Sequence, residues 1–342
     1  MANSRVSTFA AGLGSLILGL ASCLALGGCS VGFIKTSPDE GENIYGAFFE
    51  EVSGSLDRGK WLWVRGAIAG DFDGDGKVGE EAAIATVQGG GIRDPEPMEA
   101  AYLAWLALDE DGGRRPLCLT EIFLRNPLSE SPRPENGLDR VEETRFTQVR
   151  AQIIRDKLGF KEEVVVYFWG DRLPGSVWYA GYGLDDENRP RRILETAIYQ
   201  NTPGFLAMNL DRSASASHLG YQLVFGVSVL PPDLAAKLGQ PRDAPLWGHV
   251  FARDSDGVYR QADRRYASHY GQLNHSWNQA YLKALMDGLP PEDMAWLEYW
   301  LALLNCYADK PDLAAKLLEK AERGAKDASL AEAIRKGKEY IK

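Results

Sequence analysis

The densest chemistry in this chain lies in one short segment, Gly70-Asp71-Phe72-Asp73-Gly74-Asp75-Gly76-Lys77. Three carboxylates occupy its alternate positions, and a loop turned at Gly76 points their oxygens inward. Bare, they would repel one another. A hard cation relieves that repulsion and completes roughly six to eight oxygen contacts with a backbone carbonyl, a water and one further carboxylate. Calcium suits so large and flexible a donor set better than magnesium, which demands near-octahedral geometry. The competing reading is a solvated Asp/Gly turn that holds no ion.

The segment resembles the calcium loops of the FG-GAP and related extracellular β-repeat families, where such a loop joins two strands of one β unit. That resemblance implies Asp71, Asp73 and Asp75 as side-chain ligands and the carbonyl of Lys77 as another. The match is incomplete, because the ninth position is Gly79, and Ala82 stands where an EF-hand has its twelfth-position Glu. Glu81, with Glu80 behind it, is the expected substitute. The corresponding later stretch, Arg155 to Lys161, has only Asp156, so one ion is expected. Extracellular loops of this sort bind in about the millimolar range, which suits bracing better than catalysis.

A second chemical feature lies near the N-terminus. Met1 to Arg5 carries one positive charge, and Val6 to Leu26 is almost wholly apolar or small, a signal-peptide profile. The run is also long enough, at about 20 residues, to span a bilayer as an uncleaved anchor. Leu26-Gly27-Gly28-Cys29 resembles the bacterial lipobox. That resemblance implies cleavage before Cys29, diacylglycerol on its thiol and a further acyl chain. Two or three chains give stable attachment at about 0.8 kcal/mol per buried methylene. Ser30, rather than Asp, resembles an outer-membrane address. Cys23 leaves with the signal, so Cys118 and Cys306 remain, read as buried free thiols. Neither has a Cys-x-x-Cys partner, which removes zinc ribbons and thioredoxin-like chemistry.

A catalytic constellation is harder to find. The four histidines, His218, His249, His269 and His275, show no His-x-x-x-His spacing. No G-x-S-x-G elbow and no G-x-x-x-x-G-K-[ST] phosphate cradle occurs. Paired carboxylates are plentiful enough for a glycosidase, and Trp169, Trp178, Tyr179 and Tyr182 could line a sugar groove. Those aromatics sit in strand-like runs, where core filling is the commoner role. No catalytic residue is assigned.

These features must be held by the elements around them. From 61 to 260, short runs rich in Val, Ile, Tyr, Trp and Phe alternate with Asp/Gly/Pro/Asn clusters, as strands alternate with turns. Trp61–Gly70, Ala82–Gln88, Ala101–Leu108 and Leu117–Arg125 form one set of four. Thr147–Arg155, Val164–Trp169, Val177–Leu184 and Arg192–Gln200 form a second. Glu80-Glu81 precedes the second strand of the first set, and Glu162-Glu163 that of the next. A more degraded third set runs through Phe205–Asp211, Tyr221–Val229, Leu246–Arg253 and Gly257–Arg260. The expected fold is α+β, with repeated four-stranded antiparallel units, propeller-blade-like or sandwiched, followed by a C-terminal helical module.

The helical module is read from Ala262 onward. Tyr266, Tyr270, Leu273, Trp277, Tyr281 and Leu285 recur at spacings of three and four, and further apolar stripes follow Pro291, Pro311 and Leu330. Trp300-x-x-Leu303-Leu304-x-x-Tyr307 followed by Ala314-x-x-x-Leu318-x-x-Ala321 resembles a tetratricopeptide helix pair, which implies a groove for a protein partner. Leu304 departs from the small residue usual there. The alternative is a plain helical cap on the β part.

The organisation expected is therefore a lipoprotein signal peptide over 1–28, a tether and entry segment over 29–60, a β-repeat domain over 61–261 and a helical module over 262–342. With 342 residues, 45% hydrophobic and 25% charged, the chain is neither disordered nor a multi-span membrane protein. A net charge of −10 argues against nucleic acid as a partner. The reading is a lipid-anchored protein of the bacterial cell envelope, at the outer membrane, acting as a non-enzymatic scaffold or binding protein stabilised by calcium. The competing class is a lipid-tethered hydrolase acting on glycan or peptide.

Overall fold

The computed structural model describes residues 60–91, 94–109, 114–124, 145–154, 161–173, 175–200, 202–210, 221–239 and 245–341. Cys29 with its surrounding lipobox, the signal segment, the tether up to residue 59, Asp156 and His218 lie outside these residues. No helix among the described residues is long and apolar enough to cross a membrane.

Three antiparallel meanders of four strands follow one another. The first runs β1 (Lys60–Gly70), β2 (Glu80–Gly91), β3 (Asp94–Leu108) and β4 (Arg114–Phe123), paired in chain order. The second is β5 (Gln148–Ile154), β6 (Glu163–Trp169), β7 (Gly175–Leu184) and β8 (Pro190–Gln200). The third is β9 (Leu206–Met208), β10 (Gln222–Val227), β11 (Trp247–Arg253) and β12 (Tyr259–Gln261). The fold is α+β with repeated four-stranded units, as the strand and turn signals require. A short helix α1 (Pro232–Leu238) interrupts the third meander, where Pro231 and Pro232 set the backbone for a first helical turn.

Period-2 alternation sorts the side chains of the middle sheet onto two cores. Val164, Val166 and Phe168 of β6, with Trp178 and Ala180 of β7, share a buried cluster with Ile84, Leu103 and Trp105 of the first sheet. Their neighbours Val165, Tyr167, Val177 and Tyr179 face the other way, into a cluster with the third sheet. Every residue of β7 is buried. Aromatic contacts mark both interfaces. Phe123 lies 5.1 Å from Phe168 in a T-shaped pair, and Tyr179 lies 4.8 Å from Phe225. Trp178, Tyr179 and Tyr182 thus fill core rather than line a groove.

The second cluster continues into the helices α2 (Ala267–Met286), α3 (Pro291–Tyr307), α4 (Pro311–Gly324) and α5 (Ala328–Ile341). Trp247 of β11 contacts Tyr270, Trp300 and Tyr307. Helix α3 is apolar on nearly every side and is buried accordingly. A Cβ on Gly324 would lie 2.6 Å from the carbonyl oxygen of Pro291, so the end of α4 comes as close to the start of α3 as only glycine allows. Inside the bundle, the buried carboxylate of Glu298 accepts from Tyr281 at 3.0 Å and pairs with Lys320 at 2.8 Å, tying three helices.

At the passage from sheet to helix, buried Asp263 accepts from the Val250 amide at 2.6 Å and from Gln261 at 2.8 Å, and lies 3.0 Å from His249 Nδ1. His269, in the first turn of α2, is buried with Nε2 unpartnered. Burial holds its imidazole below the usual histidine range, against the opposing pull of the Asp263 charge. The unfolded chain therefore takes up a proton before the folded chain does as pH falls through about 6.5. Stability should be fully present above that pH and decline below it. In urea unfolding at a series of pH values, His269→Gln should show a shallower decline than wild type between about pH 6.5 and 5. Parallel curves would show that His269 does not contribute.

Candidate metal centre

The β1–β2 hairpin carries the acidic loop. Phe72 is completely buried within it, its ring 5.2 Å from Trp105 and nearly perpendicular. With Phe72 turned into the core, the flanking Asp71 and Asp73 stay half-exposed. Both Asp71 oxygens accept backbone bonds, from Gly74 at 2.9 Å and Gly76 at 3.0 Å. Asp73 Oδ1 accepts from the Asp75 amide at 3.0 Å, and Asp75 Oδ1 from the Lys77 amide at 2.8 Å. Gly74 and Gly76, at φ of 79° and 87°, supply the left-handed turns this winding needs. A Cβ on Gly74 would also come within 2.8 Å of Lys161 Cγ.

The third carboxylate comes from β2. Glu80 is buried, and its Oε2 accepts from the Phe72 amide at 2.8 Å and the Asp73 amide at 3.3 Å. One oxygen each of Asp71, Asp73 and Glu80 can be chosen so that all lie within 4.8 Å of one another. Among the described residues no other group of three or more His, Cys, Asp or Glu side chains comes so close. Burial raises the Glu80 carboxyl above the usual range despite those two amide bonds, and the Asp73 and Asp75 charges add to the rise.

The loop therefore assembles only part of the ligand set implied by resemblance. Asp71 and Asp73 come together, while Asp75 is exposed and outside the triad. The Lys77 carbonyl accepts from the Gly79 amide at 3.0 Å. Glu81 is buried but alternates to the opposite face of β2, the face of Ala83 and Ala85. Glu80 takes the place expected for Glu81, and the reason is strand parity. Glu80 shares the inward face of Ala82 and Ile84, so the alternation already present in those residues was the signal that points to it.

The loop is also fastened to the second sheet. The Asp71 amide donates to Glu162 Oε2 at 3.0 Å, and the Glu162 amide donates to the Asp71 carbonyl at 2.8 Å. Next along, Glu163 pairs with Arg253 of the third sheet. The repeated Glu-Glu step thus links the middle sheet to both of its neighbours. Chemically, the triad is an all-oxygen, anionic donor set, and Asp73 Oδ2 and Glu80 Oε1 accept no backbone N–H. It fits a hard divalent cation, and nothing in the donor set suits a soft one.

The other reactive side chains are dispersed. Cys118 and Cys306 are free, half-buried thiols, and burial pushes both above the usual thiol range. His275 lies against Gln279 on α2. No family model matches the chain, and no curated protein or solved structure matches it. The likeness to FG-GAP loops consequently rests on the residues of the β1–β2 hairpin alone.

If the triad holds calcium, Glu80→Gln should abolish stabilisation by the added ion, whereas Glu81→Gln should retain it. For wild type the increment should reach about 2.7 kcal/mol at a hundredfold excess over the dissociation constant. Thermal unfolding with and without calcium reads this increment separately from any cost of the substitutions themselves. Loss of the increment in Glu81→Gln with retention in Glu80→Gln would reverse the assignment.

Proposed function

We propose that this chain is a lipid-anchored protein of the bacterial cell envelope, held at the outer membrane through Cys29, and that it serves as a non-enzymatic scaffold or binding protein. Calcium, held by Asp71, Asp73 and Glu80, braces its β stack. The observation that carries the bracing role is the pair of hydrogen bonds between Asp71 and Glu162, one backbone to backbone and one from the Asp71 amide to the Glu162 carboxylate. An ion that stiffens this loop stiffens the joint between two sheets, which is a structural rather than a catalytic use of charge. The anchor is supported by Leu26-Gly27-Gly28-Cys29 and the apolar run before it. In this reading a protein partner meets the helical module, where Leu282, Leu285 and Met286 of α2 stand exposed.

Labelled palmitate tests the anchor. Wild type should incorporate it and sediment with membranes, and Cys29→Ser should incorporate none. A mature terminus found unmodified by mass spectrometry would overturn the lipid claim. For the ion, chelation should lower the melting temperature by several degrees, and Asp73→Ala should remove that response. A melting temperature indifferent to chelator would remove calcium from the proposal while leaving the anchor standing.

A further inference from the structure

At mid-strand and beyond, away from the acidic loop, the β1–β2 hairpin carries the opposite chemistry. The β1–β2 register shifts between Val64, opposite Ala85, and Gly66, opposite Ile84, leaving Arg65 as the extra residue of a bulge. Bulges re-aim side chains. Here the guanidinium turns to β2, donating from Nε to Thr86 Oγ1 at 2.9 Å and from Nη2 to Gln88 Oε1. It also lies 5.6 Å from the centre of the Trp63 ring. Thr86, Gln88 and Trp63 are all buried, whereas Arg65 is half-exposed and reachable from solvent.

The donors and acceptors of this cluster do not balance. A guanidinium has five N–H groups, and about three remain after Thr86 and Gln88 are served. Thr86 and Gln88 spend their acceptor oxygens on Arg65, which leaves a hydroxyl hydrogen and an amide NH2 as further donors. The Trp63 indole N–H is buried without an acceptor. Among the described residues no carboxylate lies within ion-pair distance of Arg65. Arg253, half-exposed like Arg65, is answered by Glu163, and the more exposed Arg192 by Glu195 and Tyr182. Those partners hold Arg192 and Arg253 above the ordinary arginine value, while burial alone pulls Arg65 below it.

We propose that Arg65, with Trp63, Thr86 and Gln88, forms a binding site for an oxyanion, a carboxylate or phosphate group presented by a ligand. A planar fork over an indole ring, with N–H groups unspent and two further polar donors on its hydrogen-bonded neighbours, is the arrangement such a group completes. The site is independent of the acidic loop and of the calcium reading.

The test is thermal unfolding of the full chain without added calcium, titrated with sodium acetate or inorganic phosphate against chloride at matched ionic strength. Wild type should show a saturable rise in melting temperature with at least one of the two anions. Arg65→Lys should raise the half-saturating concentration by about tenfold, because an ammonium keeps the charge but loses the fork. Arg65→Gln should abolish the response. If Arg65→Gln does not fold, the indole N–H resonance of Trp63, assigned with Trp63→Phe, provides the readout and should move with the same saturation curve in wild type. Response to acetate alone assigns a carboxylate ligand, and response to phosphate alone a phosphorylated one. No saturable response beyond chloride, or an unchanged response in Arg65→Lys and Arg65→Gln, would overturn the proposal.

Discussion

Phe72 is the residue on which the geometry of the acidic loop depends. A large apolar side chain between two aspartates has one low-energy option, the core beneath the loop, and it takes that option completely. Burying it is worth about 1.5–3 kcal/mol, enough to offset much of the cost of holding Asp71, Asp73 and Glu80 near one another. The amides of Phe72 and Asp73 then fall within reach of Glu80, so one apolar anchor brings a buried carboxylate into register with two half-exposed ones.

The same economy of attachment runs through the stack. The middle sheet has no free face, because its alternate residues serve separate cores with the first and third sheets. Apolar contact supplies most of the cohesion between layers, yet it is not directional. Direction comes from the polar links at the sheet margins, Asp71 with Glu162 on one side and Glu163 with Arg253 on the other. The helices extend this logic by covering the third sheet with aromatic side chains, and buried polar joints at Asp263 and Glu298 fix their orientation.

Much of this architecture was legible in the sequence because strands and turns announce themselves locally. All twelve strands among the described residues overlap the apolar runs read from the chain, including the third and most degraded set, although β3 begins seven residues before its run, at Asp94. The same holds for helices α2 to α5, whose stripes are bounded by Pro291, Pro311 and the Gly288-Leu289-Pro290 break. Helix α1 was not legible, since seven residues beginning at the second of two prolines give too little periodicity to distinguish helix from turn. At the site, Asp71 and Asp73 were readable from loop chemistry. Glu80 required knowing where β2 begins, and Glu162 required knowing which sheet lies alongside. Those are tertiary facts, and no local spacing encodes them. Arg65 went unread for a similar reason, because only the bulge in β1 separates its environment from that of an ordinary surface arginine.

Coupling between the loop and the second sheet is most directly measured by amide hydrogen exchange with and without calcium, resolved by peptide. If the ion seats on Asp71, Asp73 and Glu80, exchange should slow together in peptides spanning 71–80 and in those spanning 161–163. Slowing confined to the loop would contradict the coupling, and no slowing in either would contradict the site itself.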